Sequence, residues 1–424
     1  MTAPVAMPWI GEFKSVWRVV PNKAVIKPKK QSVGAKADEY DLLSLTKQGV
    51  IVRNLDEGGK FPENFDSYQR VEPGNLVTCL FDVEETPRTI GISKYSGMIT
   101  GAYDVFEFKG DVNPRFFEYF YLALDQRKGL KYFYSGLRNV IRTPVFLSIP
   151  MPMPPRAEQD AIVEFLDQEL RQVDKLIEMQ RSLISLVSEH LEANILHKVT
   201  GRDSMSARVH LSNLAWSPDL PQGWNSTTIR HFAQVFAGGT PDRSNPAFWE
   251  GGQIPWINSG SVNQGRIATP SAFITDAAVQ GSSTRLAPKG ALVIALAGQG
   301  ATKGTPAMME IDAFCNQSMA AIVCDSRVDA RYLYFWLRAN YLNIRSMGGG
   351  DLRDGLNLEH IKSISCPIPP KNAQIKIAEE LEGAVLRGNR LREQLELTIT
   401  KLLERRSAVV SAAVTGKLKL QGAR

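Results

Sequence analysis

The side chains best suited to chemistry in this 424-residue chain are hydrogen-bonding groups in loops. Arginine, lysine, asparagine and serine can contact phosphate oxygens and base edges when a rigid scaffold presents them. In the first half of the chain these candidates are Arg88, Lys94, Tyr95, Arg138 and Arg142. In the second half they are Asn258, Ser259, Ser261, Asn263, Arg266, Gln299, Thr302, Lys303, Arg345 and Arg353. These residues predict a polyanion partner such as DNA, with phosphate contacts outnumbering base contacts.

The sequence matches known catalytic motifs only in part. In the glycine-bounded loop 298–304, Lys303 precedes a glycine instead of following it, and no Ser or Thr stands ready for magnesium. Residues 245–248 (NPAF) resemble the N-P-P-F motif of amino-methyltransferases, but alanine replaces the second proline. The four cysteines form no C-x-x-C pair. We therefore expect no catalytic residue, no metal site and no cofactor bound by this chain.

The elements that must position these loops occur twice, 215 residues apart. Pro154-Pro155 recurs as Pro369-Pro370, Gln159 as Gln374, and Val199-Thr200-Gly201 as Val414-Thr415-Gly416. The match extends upstream more loosely, and Leu137-Arg138 recurs as Leu352-Arg353. Each half is therefore a variable block followed by a better-kept block, that is, a block whose sequence is more similar between the two halves. Two such units are expected to pack about a pseudo-two-fold axis.

The two better-kept blocks predict long helices. From Arg156, apolar residues recur at spacings of three and four, which is a heptad pattern that requires a helical partner. Proline marks the start and Gly201 the end. The second copy runs from Lys371 to Thr415. We expect an antiparallel coiled coil, a rod of about 65 Å, long enough to space two heads along DNA; packing of each helix on its own domain is the alternative.

The variable blocks predict mixed α/β domains. Strands are expected at 49–52, 75–81, 103–108, 290–296 and 319–324, and short aromatic helices at 114–124 and 330–339. The aromatic residues of these helices are assigned mainly to packing. They are Phe116, Tyr119, Phe120, Tyr332, Phe335 and Trp336.

Composition narrows the class of protein. The net charge is +6, and outside the two repeated segments 37 basic residues face 29 acidic ones, which suits a polyanion partner. The longest apolar run, 291–297, is too short for a membrane span, and no signal peptide is evident. We expect a cytoplasmic protein with reduced cysteines.

The order of variable block, proline-led helix, variable block and proline-led helix closely resembles the specificity subunit of type I restriction–modification systems. Local sequences share the resemblance: 221–229, 238–260 (GGTPDRSNPAFWEGGQIPWINSG), 292–307, 315–322 and 367–381 (PIPPKNAQIKIAEEL). The first block has no counterpart of the G-G-T-P and I-P-W segments.

The resemblance implies an α/β (α+β) chain with target-recognition domains at 1–155 and 203–370, a first spacer helix at 156–202, and a second spacer helix with a C-terminal tail at 371–424. It implies a non-catalytic DNA reader of an asymmetric, bipartite site. It further implies partners: two methyltransferase subunits that use S-adenosylmethionine, and restriction subunits that use ATP and magnesium. A coiled-coil assembly protein whose heads bind proteins, and an autonomous DNA adenine methyltransferase, stay open as alternatives.

Overall fold

The protein is described by a computed structural model over residues 5–53, 65–86, 88–211, 213–298, 300, 302–348 and 355–418. The chain divides into two compact units. The first unit consists of Met1–Arg181 and Glu396–Arg424, and the second of Ser182–Leu395. Each unit therefore combines one variable block with a part of both long helices, whereas the sequence pattern treats each helix as a segment of its own.

The variable block of the first unit is mainly antiparallel β-structure. Its strands are β1 (Val5–Met7), β2 (Gly11–Phe13), β3 (Arg18–Pro21), β4 (Ile26–Pro28), β5 (Leu43–Thr46), β6 (Gly49–Val52), β7 (Gln69–Val71), β8 (Leu76–Thr78), β9 (Ile90–Ile92), β10 (Gly97–Ile99), β11 (Asp104–Phe108) and β12 (Pro150–Met153). Four of them form a sheet in the order β4-β11-β8-β9, and the others pair as β1-β2, β3-β12, β5-β6 and β7-β10. Its short helices are α1 (Pro114–Gln126) and α2 (Thr143–Ser148).

Helix α1 carries the core of the first unit. Asn113 caps its first turn by accepting a hydrogen bond from the amide of Arg115, and Pro114 occupies a position where no amide hydrogen is needed. The side chains of Phe116 and Phe120 are fully buried, which confirms their assignment to packing.

The second unit contains two larger sheets. Its strands are β13 (Arg208–His210), β14 (Asp219–Pro221), β15 (Asn225–Thr228), β16 (Ala233–Ala237), β17 (Ile254–Ile257), β18 (Arg266–Ile267), β19 (Ala272–Ile274), β20 (Arg285–Ala287), β21 (Leu292–Ala295), β22 (Pro306–Met309), β23 (Ala313–Cys315), β24 (Met319–Cys324) and β25 (Ser365–Ile368). The sheet orders are β16-β24-β21-β22-β18 and β19-β17-β23-β20, with further pairs β13-β14 and β15-β25. Its short helices are α4 (Asp276–Gln280), α5 (Ala330–Ala339), α6 (Tyr341–Ser346) and α7 (Leu358–Ser363). In α5, Tyr332, Phe335 and Trp336 are buried as predicted.

The two long helices are the predicted ones. Helix α3 is Arg156–Val199 and α8 is Lys371–Val414. In the first unit, the beginning of α3 contacts the end of α8, with Glu169 paired to Arg405 at 3.3 Å. In the second unit, the end of α3 contacts the beginning of α8, with Lys198 2.7 Å from Glu380. Within each unit the two helices therefore run antiparallel. No helix in the described ranges is both long and apolar enough to cross a bilayer.

The residues retained in both repeats hold the helix ends. Gln159 is 1% exposed; its Oε1 accepts from the amide of Asn113 at 2.7 Å, and its Nε2 donates to the carbonyl of Pro154 at 3.0 Å. Gln374 makes the same pair of bonds with Asp329 and Pro369 in the second unit. The repeated glutamine thus ties the start of α1 or α5 to the start of a long helix.

The repeated Val-Thr-Gly segment ends each long helix in the same way. Thr200 and Thr415 are buried and donate to the carbonyls of Leu196 and Ser411. The following glycine has a φ of +59° at position 201 and +68° at position 416, a backbone conformation that L side chains rarely adopt. The duplication therefore preserves two helix-terminating motifs whose chemistry is local.

Candidate nucleic-acid interface

Arg88 is held by partners within the first unit, and its contact with DNA stays a prediction. Its Nη2 lies 2.5 Å from Glu118 Oε1 and its Nε donates to the carbonyl of Ile90 at 2.8 Å. The Arg88 side chain is only 13% exposed. Glu118 compensates the charge of the guanidinium, so a polyanion would compete with this carboxylate for Arg88.

Lys94 and Tyr95 are presented at the surface of the first unit. Both side chains are exposed, and the hydroxyl of Ser93 braces the turn by accepting from the amide of Tyr95 at 3.1 Å. They line a cleft of about 650 Å³ together with Arg171 and Arg406. This cleft is the one place in the described part of the first unit that brings Arg88, Lys94 and Tyr95 together.

An ionic network forms the floor of this cleft. Arg115 Nη2 lies 2.7 Å from Asp167 Oδ1, and the Tyr119 hydroxyl donates to the same carboxylate. Burial, reinforced by the bond to Asp167, raises the pKa of Tyr119 to about 12. The tyrosine therefore stays neutral at physiological pH, and the positive charge of Arg115 is largely compensated.

Arg138 lies on an exposed hairpin of the first unit. The Arg138 side chain is 79% exposed, and its guanidinium is 3.5 Å from Asp82. The backbone of the hairpin is fixed by paired bonds between Ser135 and Val140, and by the amide of Asp82, which donates to the Arg138 carbonyl at 2.9 Å. Arg142, just beyond the hairpin, is also exposed. Both arginines are placed where a phosphate could reach them.

Some polar side chains of the loop that follows β17 in the second unit form hydrogen bonds that stabilise the loop itself. Asn258 Oδ1 accepts from the amide of Gly260 at 2.9 Å. Ser261 is 5% exposed and its hydroxyl lies 2.7 Å from that of Ser271, so Ser261 stabilises the loop, and its contact with DNA stays a prediction. Ser259 is half-buried, whereas Asn263 is exposed.

Two of the predicted basic contacts of the second unit are compensated or buried. Arg266 forms ion pairs with Glu310 at 2.5 Å and with Glu382, so two carboxylates compensate the charge of its guanidinium. Lys303 is 4% exposed and cannot present its ammonium at the surface in this conformation. Lys303 therefore packs within its loop, and its contact with DNA stays a prediction.

Of the remaining candidates, Arg345 is half-buried and bonds the carbonyl of Lys303 and the hydroxyl of Tyr341. Thr302 is also half-buried. Gln299 and Arg353 lie outside the described residues.

Sequence reasoning missed two exposed cations of the second unit. The guanidinium of Arg243 lies 5.5 Å from the ring centroid of Trp249 and 5.7 Å from that of Trp256. Arg285 lies 4.2 Å from the ring of Phe236. Their only sequence signal is that aromatic residues are close in the chain around Arg243, which does not distinguish a stacked arginine from a solvated one.

The structure also shows the surroundings of residues that could bind a metal ion or act as nucleophiles. Within the described ranges, no group of three or more His, Cys, Asp or Glu side chains could hold a metal ion. Burial raises the pKa of the Cys315 thiol to about 11 and that of Cys324 to about 12, and it also raises the pKa of Cys79 and Cys366. These cysteines are protonated at neutral pH and therefore lack the thiolate that nucleophilic catalysis needs.

Known structures share the fold. A chain from a structure on complex assembly and conformational transition of the type I R-M system superposes with a TM-score of 0.67 at 15% identity, covering 96% of this chain and 99% of that one. The HsdS subunit from Thermoanaerobacter tengcongensis gives a TM-score of 0.54 at 14% identity, covering 95% and 97%. At these identities the likeness concerns the fold alone.

Sequence relatives match over shorter stretches. The EcoR124I/EcoR124II specificity subunit of Escherichia coli is 28% identical over 159 residues, which is 37% of this chain and 39% of that protein. The StySPI specificity subunit of Salmonella potsdam is 24% identical over 213 residues, 47% of this chain and 44% of that protein. The chain thus aligns with less than half the length of each of these relatives.

A family model matches much more of the sequence. The type I restriction modification DNA specificity domain matches residues 80–184 and 221–401, one segment from each half of the duplication and together well over half of the chain. The protein therefore belongs to the family of type I restriction modification DNA specificity domains.

Proposed function

We propose that this chain is the DNA-recognition subunit of a type I restriction–modification complex. The observation that carries the proposal is the double match to a DNA specificity domain, at 80–184 and at 221–401. Because one match falls in each half of the duplication, one chain supplies two readers. Each reader is assigned one short sequence, and the complete target is bipartite.

The two readers present different side chains, which supports an asymmetric target. The first unit exposes Lys94, Tyr95, Arg138 and Arg142, whereas the second exposes Asn263 from a loop that follows a parallel strand pair. Sequence is read by hydrogen bonds to base edges, so unlike loops select unlike bases. Arginine and lysine contacts to phosphate supply most of the affinity, and binding should fall steeply with salt.

The long helices are proposed to dock methyltransferase subunits. In the second unit, α3 and α8 leave an apolar groove of about 510 Å³ between them. Leu186 is 60% exposed and Leu391 44% exposed along this groove, and Gly388 keeps its floor open. Large exposed leucines along a groove between two helices suit an added helix of a protein partner. Restriction subunits would join the same assembly.

This chain itself is proposed to be non-catalytic. Methylation of adenine would use S-adenosylmethionine on the methyltransferase subunits, and ATP and magnesium would act on the restriction subunits. Isothermal titration of the isolated chain with S-adenosylmethionine tests this division of labour. Binding with a Kd in the micromolar range would favour an autonomous methyltransferase instead. A cytoplasmic location follows from the proposed assembly, since its substrate is chromosomal or invading DNA.

One experiment tests the main proposal. The adenine methylome is compared between cells with and without the gene for this chain, with the methyltransferase gene intact in both. We expect a bipartite motif of two unlike short sequences, methylated only when this chain is present. An identical methylome in both strains, together with no DNA binding by the chain and methyltransferase mixed in vitro, would favour the assembly-protein alternative.

The helices are further proposed to determine the number of base pairs between the two half-sites. Inserting seven residues into both α3 and α8 preserves their apolar stripes and is expected to change this number while leaving each half-sequence intact. An unchanged motif in a folded, active variant would contradict this role.

A further inference from the structure

Two arginines of the second unit are held on aromatic rings without an acidic partner. The guanidinium of Arg243 lies 5.5 Å from the ring centroid of Trp249 and 5.7 Å from that of Trp256, and the guanidinium of Arg285 lies 4.2 Å from that of Phe236. Both side chains are exposed. Neither guanidinium forms an ion pair or hydrogen bond with any residue that the structure describes. A ring face attracts the cation and restricts its motion, but it leaves the in-plane N–H donors unused.

Other arginines of the second unit differ from Arg243 and Arg285 because they have carboxylate partners. Arg266, Arg327 and Arg331 each have a carboxylate within 3.0 Å. Their positive charge is compensated inside the unit, and an incoming anion would have to compete with that carboxylate. Arg243 and Arg285 have no such competitor in the described part of the chain, so their charge is available to a ligand.

The backbone that leads to Arg243 crosses the backbone next to Arg285 at Gly238 and Gly239. A Cβ on Gly238 would lie 1.8 Å from the carbonyl oxygen of Cys315, and one on Gly239 would lie 2.7 Å from the amide of Thr284. The segment that leads from β16 to Arg243 therefore runs directly over Cys315, whose strand pairs with β20 at Arg285, and over Thr284, which precedes Arg285. Glycine is required there because any side chain would separate the two segments.

The aromatic platform under Arg243 is rigid. The indole N–H of Trp256 is buried and donates to the carbonyl of Gly239 at 3.3 Å, and that of Trp249 donates to the carbonyl of Asp242 at 2.9 Å. The two rings meet edge to face with centroids 5.3 Å apart. Both tryptophans are thus tied to the loop that carries Arg243, which limits the entropy lost when the guanidinium binds.

We propose that Arg243 and Arg285 form a phosphate clamp that grips the DNA backbone at the second recognition domain. This inference rests on the proposed function. A guanidinium whose face is covered by a ring presents its donor edge, and that edge matches two oxygens of one phosphate. The clamp contributes affinity without reading sequence, because phosphates are the same in every duplex.

The test replaces each arginine by methionine in the complex with the methyltransferase. Methionine keeps an apolar stem on the rings while it removes the charge. Affinity for the cognate duplex and for a scrambled duplex is measured by fluorescence anisotropy between 50 and 200 mM salt. Loss of one phosphate contact lowers the slope of log K against log salt by about 0.9 and weakens binding roughly eightfold at 0.1 M salt.

Matched variants complete the design. Arg327→Met removes an exposed arginine that is paired with Asp325, and it should leave the salt slope unchanged. Arg243→Lys keeps the charge, and its salt slope should equal that of the original complex. Unchanged affinity in both methionine variants, or a loss confined to the cognate duplex, would overturn the clamp. If the unsubstituted complex binds no duplex, the proposed function fails as well.

Discussion

Replacing Gln374 by methionine should destabilise the second unit because it removes a buried set of hydrogen bonds at nearly constant volume. Gln374 is 1% exposed. Its Oε1 accepts from the amide of Asp329 at 2.8 Å, and its Nε2 donates to the carbonyls of Pro369 at 2.9 Å and Arg327 at 3.2 Å. Methionine can fill the space but can satisfy none of these three groups.

The magnitude follows from the groups left behind. An orphaned buried amide costs about 1–3 kcal/mol, and each carbonyl that loses a bond adds about 0.5–1 kcal/mol. We therefore expect the free energy of unfolding to fall by about 3 kcal/mol. The structurally equivalent Gln159→Met should cost the first unit a similar amount, since its amide and carbonyl partners correspond.

Urea denaturation followed by tryptophan fluorescence measures this loss. The chain has seven tryptophans, and five of them lie in the second unit, so the signal reports mainly on that unit. Gln280→Met, at an exposed position at the end of α4 in the same unit, is the matched control and should change the free energy of unfolding by less than about 0.5 kcal/mol. A Gln374→Met variant within that same limit would refute the view that the repeated glutamine holds the domain to its helix.

Three further predictions concern the glycine that ends α8, the buried carboxyl group of Asp125 and the protein hairpin that carries Arg138. Gly416→Ala should lower the free energy of unfolding by about 3 kcal/mol, because the backbone there is left-handed and the new Cβ would lie 2.7 and 2.8 Å from the Lys14 and Trp17 side chains. Gly136 is also left-handed but lies in open space, so Gly136→Ala should cost only about 1–2 kcal/mol. Equal losses of the two variants in urea denaturation would contradict the steric argument. Burial raises the pKa of Asp125 from 3.8 to about 6, so the folded state binds the proton more tightly and stability is lost as pH rises through that interval. Asp125→Asn should therefore gain stability relative to the original protein between pH 4 and pH 6, and parallel pH profiles would count against it. Arg138→Ala should weaken DNA binding roughly eightfold at 0.1 M salt, equally on all duplexes, while co-purification with the methyltransferase stays unchanged; undiminished affinity would exclude the hairpin from the interface.

Local signals in the sequence were sufficient for the helices. Proline at the start and glycine at the end predicted the limits of α3, because both residues act on backbone conformation within one or two positions. The same holds for the burial of the α1 and α5 aromatic faces, since side chains three and four residues apart share one side of a helix. The five strands expected from the sequence are present as β6, β8, β11, β21 and β24, although β8 is shorter than the apolar run that contains it.

The sequence by itself thus determined the duplication, both long helices and the family to which the chain belongs. Only the tertiary structure decided which cations are free. Arg88 meets Glu118, 30 residues away, and Arg266 meets Glu382, 116 residues away, and no local pattern records such pairings. Arg243 was overlooked for the converse reason, because the ring of Trp256 reaches it through the folding of β17. Charge compensation depends on distances in space, and those distances exist only after the chain has folded.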